Sequence, residues 1–353
     1  MTNNKVAIII PTMNRPVFLL RQLEFYELSD SLHPVYISDS SNEENAEKLK
    51  NGIKQFKKLN ITYQWAPPGK DCLYQLLSLV KEKYCIQMGD DDIIIPETMS
   101  DCADFLGNHP DYSMCFGRQV NIRFRRKDYN KPFGIIERQT RPFGRSLEDE
   151  DMLVRIKNFW SDASFFIGFV VKRIETEKII RDITKNFSLM EIMVEFVLAS
   201  VPIIFGKSKC IDKLGYVMQI SDNRYNFIHN STVDMILLPD FSKKWEVCEK
   251  KFLEIMREKG RTEEESLKII KWFFTVFLAY QFSREGGAYS DVAQTHAPVV
   301  KKNLYKKVRS LISGHSQIKK LFYKFRTLTD VSNVESVCFK DFEKVKNFLE
   351  KNE

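Results

Sequence analysis

The chain has 353 residues, enough to bury a substantial core and to form more than one structural part. Hydrophobic residues make up 43% and charged residues 29%, which excludes a disordered or fibrous chain. The net charge of +7 is a local property. No acidic residue lies between Asp291 and Asp330, an interval holding Lys301, Lys302, Lys306, Lys307, Arg309, Lys319, Lys320, Lys324 and Arg326. Those nine cations exceed the whole net charge, which argues against a general nucleic-acid binder. The cysteines (Cys72, Cys85, Cys102, Cys115, Cys210, Cys248 and Cys338) are odd in number and scattered. They give neither a disulfide framework nor a thiolate zinc site and predict a reducing, cytoplasmic setting. The first apolar run is too short for a signal segment, and no stretch reaches the roughly 20 apolar residues of a membrane-spanning helix.

Taken in order, Val6-Ala7-Ile8-Ile9-Ile10 is an apolar, β-branched run that predicts a buried parallel strand. Pro11-Thr12-Met13-Asn14-Arg15-Pro16 stops it, and Phe18, Leu19, Leu23 and Tyr26 then share one helical face. Val35-Tyr36-Ile37 is a second strand, closed by Ser38-Asp39-Ser40-Ser41-Asn42; residues 43–58 read as an exposed helix. Ile61–Trp65 is a third strand, followed by Pro67-Pro68-Gly69-Lys70-Asp71 and a helix through Leu73, Leu76, Leu77 and Val80. Residues 84–88 form a fourth strand that ends in three consecutive carboxylates, Asp90, Asp91 and Asp92. Three like charges at a strand end need solvent, basic partners or a divalent cation.

This alternation predicts an α/β fold with a doubly wound, mostly parallel sheet. In such a sheet the loops at the carboxyl ends of the strands meet along one edge, where ligands bind. Beyond the triplet the pattern predicts a helix over 96–107, strands over 112–117 and 118–126, a loop over 127–148, a helix over 149–159, a strand over 165–171 and a helix over 187–199. From about 232 onward the periodicity is wholly helical, with two basic amphipathic segments inside 297–328. Those segments suit an anionic membrane surface, with helical homodimerisation as the competitor. Trp65, Trp160, Trp245 and Trp272 are candidates for sugar stacking, although tryptophan is more often a core residue.

The loops together resemble the family 2 glycosyltransferases. Ile8-Ile9-Ile10-Pro11-Thr12-Met13-Asn14-Arg15-Pro16 looks like that family's opening, whose loop contacts the nucleotide. Ile37-Ser38-Asp39-Ser40-Ser41 is similar to the second-strand motif, whose aspartate bonds the base. Pro68-Gly69-Lys70 sits at the glycine-containing nucleotide loop, and Gly89-Asp90-Asp91-Asp92-Ile93 takes the place of the DXD-type metal motif. The likeness covers residues 5–120 well and fades by about 230. Two departures stand out: Gly89 where many members carry aspartate, and Ile192 after Glu191 where an acid is usual.

The resemblance implies a GT-A fold over residues 1–230, with a nucleotide-sugar half (1–120) and an acceptor half (121–230), and a helical region over 231–353. It implies inverting transfer from a nucleotide-sugar donor, with UDP-sugar first, to a glycan, lipid-linked or protein acceptor. The setting would be bacterial-type surface polysaccharide or glycoconjugate synthesis, at the inner face of the plasma membrane if the basic tail binds it. Mn²⁺ or Mg²⁺ would sit on Asp91, Asp90 or Asp92, with His229 as a further ligand. Pro11, Thr12, Asn14, Arg15, Asp39, Gly69, Lys70, Asp90, Asp92 and Arg224 would contact the donor. Glu191 is the first candidate for the base that deprotonates the acceptor, with Glu195 and Asp162 as alternatives. Two other classes stay open: a nucleotidyltransferase making a sugar nucleotide, and a transferase-like binding subunit without a base.

Overall fold

The structure is a computed structural model that describes residues 4–67, 72–125, 131–162, 170–185, 187, 192–220, 236–285 and 336–351. Its centre is β1 (Val6–Thr12), in which all residues but Pro11 are buried. Parallel neighbours β2 (Val35–Asp39) and β4 (Tyr84–Gln87) flank β1, and β3 (Ile61–Trp65) adds to β2. β1 and β2 are almost wholly buried, and β1 is rich in Val and Ile because a strand covered on both faces leaves no side for polar residues, whereas β3 at the edge is only partly buried. Connections run through α1 (Pro16–Leu28), α2 (Glu43–Ile53) and α3 (Leu73–Leu77). Pro16 opens α1, where a missing N–H costs nothing. Asn42 caps α2 by accepting from the Asn45 N–H at 2.9 Å, and Glu43 and Glu44 in its first turn oppose the positive dipole end.

After β4 come β5 (Ile93–Ile94), α4 (Pro96–Asn108), β6 (Tyr112–Phe124), β7 (Ile136–Gln139), α5 (Met152–Asp162), β8 (Val171–Arg173), α6 (Ile174–Thr184), α7 (Ile192–Phe205) and β9 (Lys207–Gln219). The nine described strands form one sheet in the order β3-β2-β1-β4-β8-β6-β9-β5, with β7 paired to β6. The fold class is the α/β one expected, but parallel pairing is confined to the first four strands and to β6 with β9. β8 enters antiparallel between β4 and β6, and β5 lies antiparallel on β9. β8 is three residues long and runs directly into α6.

Three elements have no counterpart in the sequence reading: the two-residue β5, α6 and β9. In α6 the charged residues Glu177 and Arg181 are buried and hide the apolar face; in β9 the first half carries Lys207, Lys209, Asp212 and Lys213, which break the alternation. The 127–148 stretch, expected as loop, contains β7. β6 and β9 touch backbone to backbone at Gly117 and Gly215, where a Cβ on Gly215 would lie 2.7 Å from the Gly117 Cα. Only glycine fits that crossing, which carries β9 behind the acidic triplet.

Helices α8 (Phe241–Glu258) and α9 (Glu263–Glu285) pack with α5 and α7 around Phe196, Phe252, Phe273 and Phe277. Trp160 is buried there and Trp245 lies against Phe274, whereas Trp65 and Trp272 remain exposed. The last helix, α10 (Phe339–Glu350), returns to the β1 side and inserts Phe342, Val345, Phe348 and Leu349 into that core, with Phe348 edge-on to Phe25 at 5.2 Å. Each such aromatic or aliphatic side chain contributes about 1.5–3 kcal/mol on burial. Among the described residues no helix is long and apolar enough to cross a membrane. The basic segment 297–328 lies outside the described residues.

Candidate functional site

The strand register brings the loops together. Thr12 of β1 faces Asp39 of β2, and Asp39 faces Trp65 of β3, so three strand ends form one row. β4 ends three residues short of that row, its Gln87 paired with Ile9, and the residues after it bring Asp90 beside Thr12.

The first loop is bent by Asn14, whose φ of 58° is left-handed. Asparagine tolerates that conformation better than most residues. Here the second loop holds it: the Asn14 N–H donates to Ser41 Oγ at 2.7 Å, and the Asn42 N–H donates to Asn14 Oδ1 at 2.9 Å. The bend directs Arg15 back over the triplet. One guanidinium nitrogen donates to Asp90 Oδ1 at 2.7 Å and the other to Asp91 Oδ2 at 2.9 Å, while the ring of Phe18 lies 4.4 Å from the guanidinium carbon. Thr12 Oγ1 donates to the second Asp90 oxygen at 2.7 Å.

The three aspartates have different surroundings. Asp90 is 5% exposed, and burial pushes its pKa up to about 6, against the pull of Arg15. Asp91 lies nearer the surface, its side chain 13% exposed. Asp92 is turned inward: the Gln219 N–H donates to Asp92 Oδ1 at 2.9 Å and the Tyr216 hydroxyl donates to Oδ2. Pairing of β5 with β9 dictates this direction, since Ile93 faces Val217 and Ile94 faces Tyr216. Gly89 leaves room for both carboxylates, since a Cβ there would sit 3.3 Å from an oxygen of Asp91 and of Asp92.

Asp39 is fully buried. Its Oδ1 accepts from the Ser41 N–H at 2.8 Å and its Oδ2 from the Tyr63 hydroxyl at 2.7 Å. Burial first, then the bond to Asp39, raises the Tyr63 pKa far above the usual phenol range. The Trp65 indole N–H donates to Ser41 O at 2.9 Å, leaving the ring 39% exposed at the rim.

Support comes from residues that carry no motif. Arg21, 2% exposed, donates to Asp91 O, to Pro132 O and to Gln219 Oε1 at 2.7 Å; Gln22 donates to Gly89 O at 3.0 Å and Asp92 O at 2.7 Å. Arg21 and Gln22 thus fix the backbone of the turn that displays the triplet. Their only signal in the sequence is a pair of polar residues set between Leu20 and Leu23 of α1. Below β4, Glu177 is fully buried between Lys172 Nζ at 2.7 Å and Arg181 Nε at 3.0 Å, and Arg181 also donates to Gln87.

Of the sequence-predicted residues, Pro11, Thr12, Asn14, Arg15, Asp39, Asp90, Asp91 and Asp92 come together. Gly69, Lys70, Glu191, Arg224 and His229 lie outside the described residues, as does the side chain of Asp162. Glu195 accepts from Gln281 of α9, within the helical half. Among the described residues no group of three or more His, Cys, Asp or Glu is arranged to hold a metal. Asp90 and Asp91 nevertheless offer adjacent hard oxygens, paired with one guanidinium. A divalent ion that takes its remaining ligands from phosphate and water fits that donor set.

The chain matches no family model and no curated protein. It does resemble solved structures. S. aureus TarS 1–349 in complex with UDP-GlcNAc superposes with a TM-score of 0.52 at 15% identity, over 80% of this chain and 75% of that one. The chain has a GT-A-type, Rossmann-like α/β fold. Looser likenesses are to S. aureus TarS 1–349 in complex with UDP (TM-score 0.42, 13% identity, 98% and 89% of the two chains) and to the mannosyltransferase PcManGT from Pyrobaculum calidifontis in complex with GDP-Man and Mn²⁺ (0.38, 10%, 90% and 82%). At these identities the likeness is one of fold.

Proposed function

We propose that the chain is a metal-dependent, inverting glycosyltransferase using a nucleotide-sugar donor, with UDP-sugars first. The observation that carries this is the row of strand ends Thr12, Asp39 and Trp65, with Asp90 and Asp91 presented beside it. The GT-A-type neighbour with UDP-GlcNAc bound supports the nucleotide-sugar class. The acceptor would be a glycan, lipid-linked or protein group in surface polysaccharide or glycoconjugate synthesis, approached at the inner face of the plasma membrane by the basic segment 297–328.

Asp39, buried and already accepting two hydrogen bonds, retains lone pairs for a base N–H. Trp65 offers an exposed ring at the same rim. Thr12, Asn14, Arg15, Gly69, Lys70 and Arg224 would contact ribose and diphosphate, Arg15 through its planar fork. Asp91, with Asp90, would hold Mn²⁺ or Mg²⁺, and His229 would complete the set. When bound, the metal neutralises charge that develops on the departing nucleoside diphosphate. Glu191 would take the acceptor proton, with Glu195 and Asp162 as the alternatives.

A thermal-shift series with UDP, GDP, CDP and dTDP and their sugar conjugates, each with and without Mn²⁺, tests this reading. Binding to the native state raises the melting temperature by mass action. One nucleotide should stabilise the protein, and more so with Mn²⁺; no shift with any of them contradicts the reading.

A further inference from the structure

The acidic pair already holds a cation, and it is the protein's own. The Arg15 guanidinium spans Asp90 Oδ1 and Asp91 Oδ2 at 2.7 and 2.9 Å, and the ring of Phe18 backs it at 4.4 Å. The placement is built in. Asn14 takes its left-handed φ of 58° and is held in it from the β2 loop by Ser41 and Asn42. The third carboxylate cannot relieve the competition, because Asp92 is committed to Tyr216 and Gln219. Two carboxylates are therefore all that the triplet presents, and both are in one guanidinium's grip.

A divalent ion arriving alone would have to shed water and expel a charge-assisted, two-armed pair. A diphosphate changes that balance. It offers the guanidinium a second planar, doubly accepting partner of higher charge, and it offers the metal the oxygens the protein lacks. Arg15 has the freedom to exchange, since its side chain is 37% exposed while Asp90 and Asp91 are at 7% and 13%.

We propose that Arg15 orders ligand binding at this site: it occupies the acidic pair until a nucleoside diphosphate draws it away, and the divalent ion then takes Asp90 and Asp91. The inference rests on the nucleotide-sugar reading above, and goes beyond it by giving Arg15 two successive partners. Linkage makes it measurable, because a group that competes with one ligand and contacts the other biases them in opposite directions.

The test measures Mn²⁺ alone, by the electron paramagnetic resonance signal of free Mn²⁺, and metal-free UDP, by calorimetry. Wild type is compared with Arg15→Met and Arg15→Lys, all checked for native circular dichroism. Arg15→Met should bind Mn²⁺ roughly tenfold more tightly and metal-free UDP roughly tenfold more weakly, within the usual range of coupling between sites. Arg15→Lys, a point charge without the fork, should fall between. Weakening or no change in Mn²⁺ binding by Arg15→Met overturns the proposal, because a merely structural Arg15 would weaken both ligands together. If Arg15→Met is poorly soluble, Arg15→Gln removes the same charge and should give the same signs. The failure of the nucleotide reading looks different: neither UDP nor GDP binds wild type with or without Mn²⁺, while the Mn²⁺-only comparison still decides whether Arg15 competes.

Discussion

Replacing Asp92 separates the structural from the ligand-facing work of the triplet. Asp92 is 4% exposed, and its two oxygens accept from the Gln219 backbone N–H and the Tyr216 hydroxyl. Both donors belong to β9, so the carboxylate ties the site loop to the far half of the sheet. Asp92→Ala takes the carboxylate acceptor away from two buried donors, at about 1–3 kcal/mol each. The expected loss is therefore about 2–6 kcal/mol, which for a chain of this size lowers the melting temperature by something on the order of 5 °C or more. Asp92→Asn keeps one acceptor, and the Tyr216 hydroxyl can turn to accept from the new amide; it should cost about half as much. Asp91→Asn, by contrast, touches a partly solvated pair and should stay within about 1 kcal/mol of wild type. Differential scanning fluorimetry without ligand, repeated by urea unfolding, reads all three. If Asp92→Ala unfolds within 1 °C of wild type while Asp91→Asn is the unstable one, the division of labour within the triplet is reversed.

Other outcomes follow from the same contacts. Gly215→Ala places a Cβ 2.7 Å from the Gly117 backbone, where no side chain can yield; the variant should lose 1–3 kcal/mol or more, by roughly the cost of overpacking, and show it as lower soluble yield and melting temperature. Asp39→Asn should weaken nucleoside diphosphate binding by about 10–100-fold in calorimetry, the worth of a hydrogen bond to a charged group, with Mn²⁺-alone binding unmoved. Glu177 gives a pH dependence. Burial alone would raise its pKa, but Lys172 and Arg181 outweigh that and hold the carboxyl below its usual range. Its contribution to stability is thus present above the unfolded pKa of about 4.3 and is lost as pH falls through the lower folded value. Melting temperature against pH should drop more steeply below pH 4.5 in wild type than in Glu177→Gln, which should already be destabilised at pH 7 by about 3–5 kcal/mol because two buried cations lose their partner.

The first half of the fold was legible because its signals are local. The Val6–Ile10 run, Pro16 and Pro96 at helix starts, and a polar loop after each of four strands each declare themselves within a few residues. The second half was not, because its signals are long-range. Glu177 and Arg181 look solvated in sequence yet are buried by pairing with each other and with Lys172. β9 reads as a polar stretch, and only its pairing with β6 and β5 makes it a strand. In the site, Asp90, Asp91 and Arg15 were legible as a set of types and spacings. The inward turn of Asp92 was not, since it depends on Tyr216 and Gln219 more than 120 residues away. Arg21 and Gln22 were hidden for the same reason: their partners lie on other elements, at Asp91, Asp92, Gly89 and Gln219.

The central claim is that Asp91, with Asp90, holds a divalent ion for the diphosphate of a sugar-nucleotide donor. The most direct measurement is release of nucleoside diphosphate from the donor that stabilises the protein best, followed with Mn²⁺, with Mn²⁺ plus excess EDTA, and in Asp91→Asn with Mn²⁺. Release should occur in the first case and fall at least 100-fold in the other two, with Asp91→Asn melting near the wild-type temperature. Equal release with and without metal, or an Asp91→Asn variant as active as wild type, would contradict it.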